Sequence, residues 1–188
     1  MGEAVEVREA VPADAEAAVE LWKSSHVIRR NGRPLPEAHI ASAYQRMSVP
    51  GALLLLALDP RSDSAPEGAP ESTSESGPDG GRPAVVGTIL GVQGLDRDGL
   101  GPAVPGLVHI CLLSVAPDRW GQHIGRMLVE QMLLRAAAHG YQRAQLWTHA
   151  DNLRANRLYK SMGFRRSGRV RVDDWGELLV HYWRAVES

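Results

Sequence analysis

Apolar and polar residues alternate over Val5-Glu-Val-Arg8, the period of a half-buried strand, so the chain is expected to open on a first strand. From Val11 to Trp22 the period lengthens to that of a helix, with Pro12 near the first turn, where a missing N–H costs nothing. A second helix is expected from Pro36 to Met47. Ala52 to Leu58 is continuously apolar, which fits a strand covered on both faces. Ala84 to Val92 and Leu107 to Val115 read as two further buried strands. After Pro117–Gly125, a long helix begins with Ile124, Met127 and Leu128 on one face and stops at His139-Gly140. Ala144 to Thr148 is a strand, and Asn152 is placed to cap a short helix, Leu153 to Met162, closed by Gly163. Arg169 to Val172 and Leu178 to Trp183 supply two closing strands. Strands mixed with helices around one sheet make an α/β fold.

One segment breaks this pattern. Residues 60–82 contain no Val, Leu, Ile, Phe, Tyr or Trp, so they cannot bury enough apolar surface to offset their ordering entropy. They are expected to be a disordered insertion within a single domain spanning residues 1–188, because the residues before them are too few for an independent fold.

The chain has 188 residues, 44% hydrophobic and 23% charged, with a formal net charge of −1. That balance gives no support to a nucleic-acid or membrane-surface partner, which would favour a concentrated positive field. Arg165, Arg166, Arg169 and Arg171 cluster near a closing strand and are expected to form a solvated face. A single cysteine, Cys111, rules out an intramolecular disulfide, and its place in a buried strand suits a small hydrophobe rather than a nucleophile. The acidic N-terminus lacks an apolar signal core and no apolar run approaches a membrane span. A cytoplasmic location is the expectation. The seven histidines show no ligand spacing for a metal, and no metal is expected.

Two stretches carry chemistry. The first is a strand, a glycine-bearing turn and a helix between Leu112 and Leu134. A helix start offers unpaired N–H groups and a positive dipole end, while Gly121 and Gly125 let backbone approach a bulky anion. These are the parts of a pyrophosphate site. The second is Asn152-Leu-Arg-Ala-Asn-Arg-Leu-Tyr-Lys-Ser-Met-Gly-Phe164, in which Asn152, Asn156 and Tyr159 share one helical face. A tyrosine is protonated at neutral pH and is able to give a proton to a leaving thiolate.

In this order the two stretches resemble the GNAT acetyltransferases. The later motif of that family is similar to Asn-x-x-Ala-x-x-Leu-Tyr-x-x-x-Gly-Phe, matched here by Asn152, Ala155, Leu158, Tyr159, Gly163 and Phe164. Their cofactor loop reads Gln/Arg-x-x-Gly-x-Gly/Ala; here Trp120 stands at the Gln/Arg position and His123 at the first glycine, with Gly125 kept. The resemblance implies the GNAT fold, a single mixed central sheet flanked by helices, and acetyl-CoA as acyl donor. It implies that Leu113 and Val115 bond the pantetheine arm through their backbone. Gly121, Gln122, His123, Ile124, Gly125 and Arg126 would surround the pyrophosphate, and Asn152 and Asn156 would contact the cofactor. Tyr159 would stand near the sulfur as general acid.

A base with pKa near 7 would serve the acceptor amine, and His109, on the strand leading to the loop, is the candidate. His149 is a second candidate, and a water relay ending on a carboxylate is the competing arrangement. The expected activity is direct transfer of acetyl from acetyl-CoA to a primary amine of a small molecule or protein. The alternative is a non-catalytic acyl-CoA-binding sensor or interaction module. The acceptor pocket is expected around His26 to His39 and the closing strands, which carry Arg29, Arg30, Arg33, Asp173, Asp174 and Glu177. A homodimer is left open.

Overall fold

The computed structural model describes residues 5–60, 83–173 and 175–187. The insertion expected at 60–82 lies, except for Pro60, outside the described residues, as does Asp174. The strands are β1 (Glu6–Glu9), β2 (Leu53–Asp59), β3 (Ala84–Leu95), β4 (Ala103–Val115), β5 (Arg143–His149), β6 (Arg165–Val172) and β7 (Leu178–Ala185). The helices are α1 (Ala15–Arg29), α2 (Glu37–Met47), α3 (Ile124–Ala138) and α4 (Leu153–Ser161). The strands form one sheet in the order β1-β2-β3-β4-β5-β7-β6, antiparallel throughout except for the parallel pair β4–β5. This is the mixed sheet flanked by helices that the resemblance implied.

The apolar run of β2 shows why the sheet is covered twice. Leu53, Leu55 and Ala57 join a core with Leu128, Val129 and Met132 of α3, while Leu56 and Leu58 pack with Ala18 of α1 on the other face. A residue period of two divides one continuous hydrophobic run between two layers. Close approach of α3 is set by β3: a Cβ at Gly87 would lie 2.8 Å from Leu128 Cδ1, and one at Gly91 2.7 Å from Met132 Sδ.

Helix α1 runs on past Trp22 to Arg29, and its Val19 and Trp22 join Leu35, Ile40 and Ala43 in a separate cluster with Leu112 and Trp175. That cluster ties α1 and α2 to the β6–β7 turn. Strand β6 begins earlier than its alternation suggests, because all eight of its residues are exposed and no apolar stripe marks its start. Among the described residues no helix is long and apolar enough to cross a membrane.

Candidate active site

The parallel ladder between β4 and β5 stops early. Pairs run from Leu107↔Arg143 to Ile110↔Leu146, yet β4 continues to Val115 and β5 to His149. The cause is a bulge in β4. Leu90 of β3 faces Cys111 but Thr88 faces Ser114, so Leu112 and Leu113 have no register partner in β3 or β5. Leu112 adopts a left-handed φ of 56°, which costs a non-glycine residue about 1–2 kcal/mol. Its side chain offsets this by packing in the Trp22 cluster. The strands therefore part at the bulge, and a cleft opens between them.

Ser114 pairs with Thr88, and the Ala116 amide donates to the Val86 carbonyl at 2.9 Å. Val115, between them, turns its peptide groups away from β3 toward the cleft. Its carbonyl is already engaged: Trp120 Nε1 donates to it at 2.8 Å and Ser25 Oγ at 3.1 Å. Of the two β4 residues expected to meet a pantetheine arm, Leu113 keeps its place in the unpaired bulge, while Val115 starts with its oxygen satisfied.

At the end of this cleft α3 begins. Its N-cap residue, His123, sits at φ 62°, no side chain caps the helix, and the first turn holds no acidic residue. The amide of Met127 makes the first helical bond, to His123 O at 3.0 Å, so the preceding N–H groups lack helical partners. Gly121, at φ 85°, Gln122 and His123 are exposed beside them. This is an open seat for an anion at a positive helix end. His123 takes the left-handed conformation at the position where the family pattern has glycine, so the substitution strains the loop without closing it. A Cβ at Gly125 would lie 3.4 Å from Leu158 Cδ2 and 3.7 Å from Val115 Cγ2, ordinary contact for one methyl but not for a branched side chain.

Three contacts hold this loop. Arg119 pairs at 2.9 Å with Asp59, whose side chain is only 1% exposed. Trp120 is pinned to Val115, and the Arg154 guanidinium lies 4.1 Å over its ring. Arg126, expected beside the pyrophosphate, reaches Ser161 Oγ at 2.8 Å and Glu130 at 3.7 Å.

Helix α4 flanks the cleft. Asn152 caps it as expected, accepting from the Ala155 amide at 3.1 Å. Asn156 is turned inward. Its Nδ2 donates to the carbonyls of His149, Ala150 and Asn152, and its Oδ1 accepts from Tyr182 at 2.8 Å and Arg166 at 3.3 Å. With every polar atom spent internally, Asn156 buttresses the end of β5 rather than facing a ligand. Tyr159 is 6% exposed and packs edge-on to Phe164. Its hydroxyl makes no hydrogen bond among the described residues. Burial, with Cys111 nearby, pushes its acidity far below that of free tyrosine, so it stays protonated throughout the working range.

His109 lies on the face of β4 turned toward α2. Its Nδ1 is buried with no hydrogen-bond partner, and burial, reinforced by Arg46 and Arg171, pushes its pKa down to about 4. A base poised near 7 is therefore replaced by an imidazole that is neutral at physiological pH. His149, at the end of β5, sits 3.3 Å from Asp173 and 3.1 Å from Glu177. Burial and Arg29 lower its pKa against the pull of the two carboxylates. Burial alone would raise Asp173, but amide hydrogen bonds from Glu177 and Trp175 and the bond to His149 more than offset it.

His149, Asp173 and Glu177 bring donor atoms within 4.8 Å of one another, a grouping the sequence spacing did not suggest. Arg29 reaches Glu177 at 2.7 Å and Arg30 at 3.2 Å, so a cation there would compete with two guanidinium groups. Of the residues expected around the acceptor pocket, Arg29, Arg30, Asp173 and Glu177 thus meet His149 in an ion-pair network. Ser25, Gln145, Trp147 and His181 belong to the same region and carry no motif that could have flagged them. A separate cleft of about 710 Å³ beside α1, lined by Arg8, Asp14 and Val85 among others, shares no residue with this site.

Residues 56–164 match the acetyltransferase (GNAT) family. A mycothiol acetyltransferase from Kineococcus radiotolerans is 44% identical over 62 residues, 33% of this chain and 20% of that protein. The peptidyl-lysine N-acetyltransferase YjaB from Salmonella typhimurium is 41% identical over 71 residues, 37% of this chain and 44% of that protein. The chain thus covers less than half the length of these two relatives. The fold matches that of a GNAT superfamily phosphinothricin acetyltransferase from Sinorhizobium meliloti, solved in complex with AcCoA, with a TM-score of 0.67 at 19% identity. That match covers 98% of this chain and 89% of the other.

Proposed function

Because the chain belongs to the acetyltransferase (GNAT) family, we propose that it moves the acetyl group of acetyl-CoA directly to a primary amine of a small molecule or protein. The observation that carries this reading is the β4–β5 cleft, with an uncapped helix N-terminus at one end and Tyr159 beside Cys111 at the bulge. The residues fit the cofactor: the amides just before Met127, which lack helical partners, suit a pyrophosphate, and the unpaired Leu113 backbone suits an extended arm. Acetyl-CoA supplies an acetyl group activated as a thioester, which an unprotonated amine attacks with loss of the thiolate.

The chain's residues divide the remaining work. Tyr159 holds a proton on a hydroxyl with no internal partner, available to the departing sulfur. His109 Nδ1 is the unspent acceptor for the amine proton.

A second reading, a non-catalytic acyl-CoA-binding module, is favoured by the closed Val115 carbonyl and the strained His123. Thiol release from acetyl-CoA with a mixed panel of primary amines separates the two. Amine-dependent thiol release supports transfer; binding of CoA without turnover of any amine supports the module.

A further inference from the structure

Trp120 is held at its edge and covered on a face. Its indole N–H donates to the Val115 carbonyl at 2.8 Å, and the Arg154 guanidinium carbon lies 4.1 Å from the centre of its ring. The ring thus joins the strand that lines the cleft, the loop before α3 and the first turn of α4. The starts of the two helices are neighbours, since a Cβ at Gly125 would lie 3.4 Å from Leu158 Cδ2.

Arg154 stands where a cation is unfavourable. It is the second residue of α4, just after the Asn152 cap, and the positive end of a helix dipole repels a guanidinium there. Neither α3 nor α4 has an acidic residue in its first turn to offset this. Arg119 spends its charge on Asp59 and Asp118, and Arg126 on Glu130. Arg154 is exposed and pairs with no carboxylate among the described residues. The indole holds its guanidinium by the face, which leaves the N–H edge unspent. A charge kept against the local rule fits a place where an anion completes the set.

We propose, on the reading of acetyl-CoA as the acyl donor, that Arg154, stacked on Trp120, is a binding residue for the cofactor's pyrophosphate at the start of α3. Trp120 contributes its ring as a platform, and the side-chain donor comes from the neighbouring helix. Stacking orders the guanidinium before the ligand arrives, so little side-chain freedom is lost on binding. The anion also relieves the repulsion between Arg154 and the helix ends around it.

The test is titration calorimetry on wild type, Arg154→Gln and Arg154→Lys. The ligands are CoA and dephospho-CoA, which keeps the pyrophosphate and lacks the 3′-phosphate. Arg154→Gln is expected to lose affinity for both ligands by the same factor, about tenfold or more, the size of one charge-assisted hydrogen bond. The loss is expected to shrink between about 0.05 M and about 0.5 M salt, because exposed charges are screened. Arg154→Lys keeps the charge without the planar fork and is expected to fall between. Without ligand, Arg154→Gln is expected to melt close to wild type, since the lost ring contact and the relieved dipole repulsion are of similar size.

A loss for CoA with none for dephospho-CoA gives Arg154 to the 3′-phosphate and overturns the pyrophosphate assignment. A loss of the same size at both salt concentrations makes Arg154 a brace of the loop and overturns it as well. Affinities equal to wild type remove Arg154 from the site and leave the acetyl-CoA reading intact. A wild-type protein that binds neither ligand overturns that reading, and this site with it.

Discussion

The indole N–H of Trp120 is bonded to the carbonyl of Val115 at 2.8 Å, which joins the anion-binding loop to the strand that lines the cleft. The residue standing where the family pattern has Gln or Arg therefore spends its donor on the protein rather than on a phosphate. An arm that donates to the Val115 carbonyl must compete with it.

Trp120→Phe keeps the ring under Arg154 and removes that donor. A single neutral hydrogen bond is worth about 0.5–1.5 kcal/mol net, so CoA affinity is expected to rise about 2- to 10-fold. Titration calorimetry with CoA checks this. Weaker binding by the variant would show that the bond holds the loop in its binding form instead.

Tyr159→Phe is expected to lower the single-turnover rate about 10²–10⁴-fold while leaving acetyl-CoA affinity and melting temperature close to wild type. The ring keeps its packing on Phe164, and the hydroxyl has no internal bond to lose. A wild-type single-turnover rate would remove Tyr159 from the chemistry.

Gly125→Ala and Gly125→Val form a graded pair. The first added carbon meets Leu158 at 3.4 Å, whereas a branched side chain must push Leu158 or Val115 into the cleft. Acetyl-CoA affinity is expected to fall slightly for Ala and at least about tenfold for Val, a cost in the range of overpacking a tight site. Calorimetry on the folded variants decides it; equal affinities would place the pyrophosphate elsewhere.

Three histidines that are partly or fully buried contribute to the pH dependence of stability. Burial pushes His26, His109 and His181 each down to about 4, below the ordinary histidine value near 6.5. Between those values the unfolded chain binds protons that the folded chain refuses, so stability is full above about pH 6.5 and falls as pH drops toward 4. The melting temperature is expected to decline through that window, and His109→Gln to flatten the decline. An unchanged slope in that variant would mean that His109 is solvated.

Much of this was legible. The unbroken apolar run of β2 announced a strand covered on both faces, and Asn152 announced its cap, because both effects are local. The bulge was not, since Leu112 takes a left-handed φ with no glycine or asparagine to mark it, held there by tertiary packing. Nor was the inward turn of Asn156, which shares a helical face with Tyr159 in sequence but bonds to Tyr182 across the fold. Arg171 of β6 lies over Trp147 of β5 across the inserted strand β7. Spacing along the chain carries no trace of that order.

The Leu112 bulge also means that the cleft is a matter of counting. One surplus residue in β4 shifts its register against β3 and leaves β5 without a β4 partner beyond Leu146. Shortening the strand by a residue at that point would let the two ladders zip to their ends, trading the bonds a ligand could make for bonds between strands. The folded protein would then gain stability and lose its slot. Binding capacity in this sheet is held open as an arithmetic mismatch between neighbouring strands, at the expense of a more complete ladder.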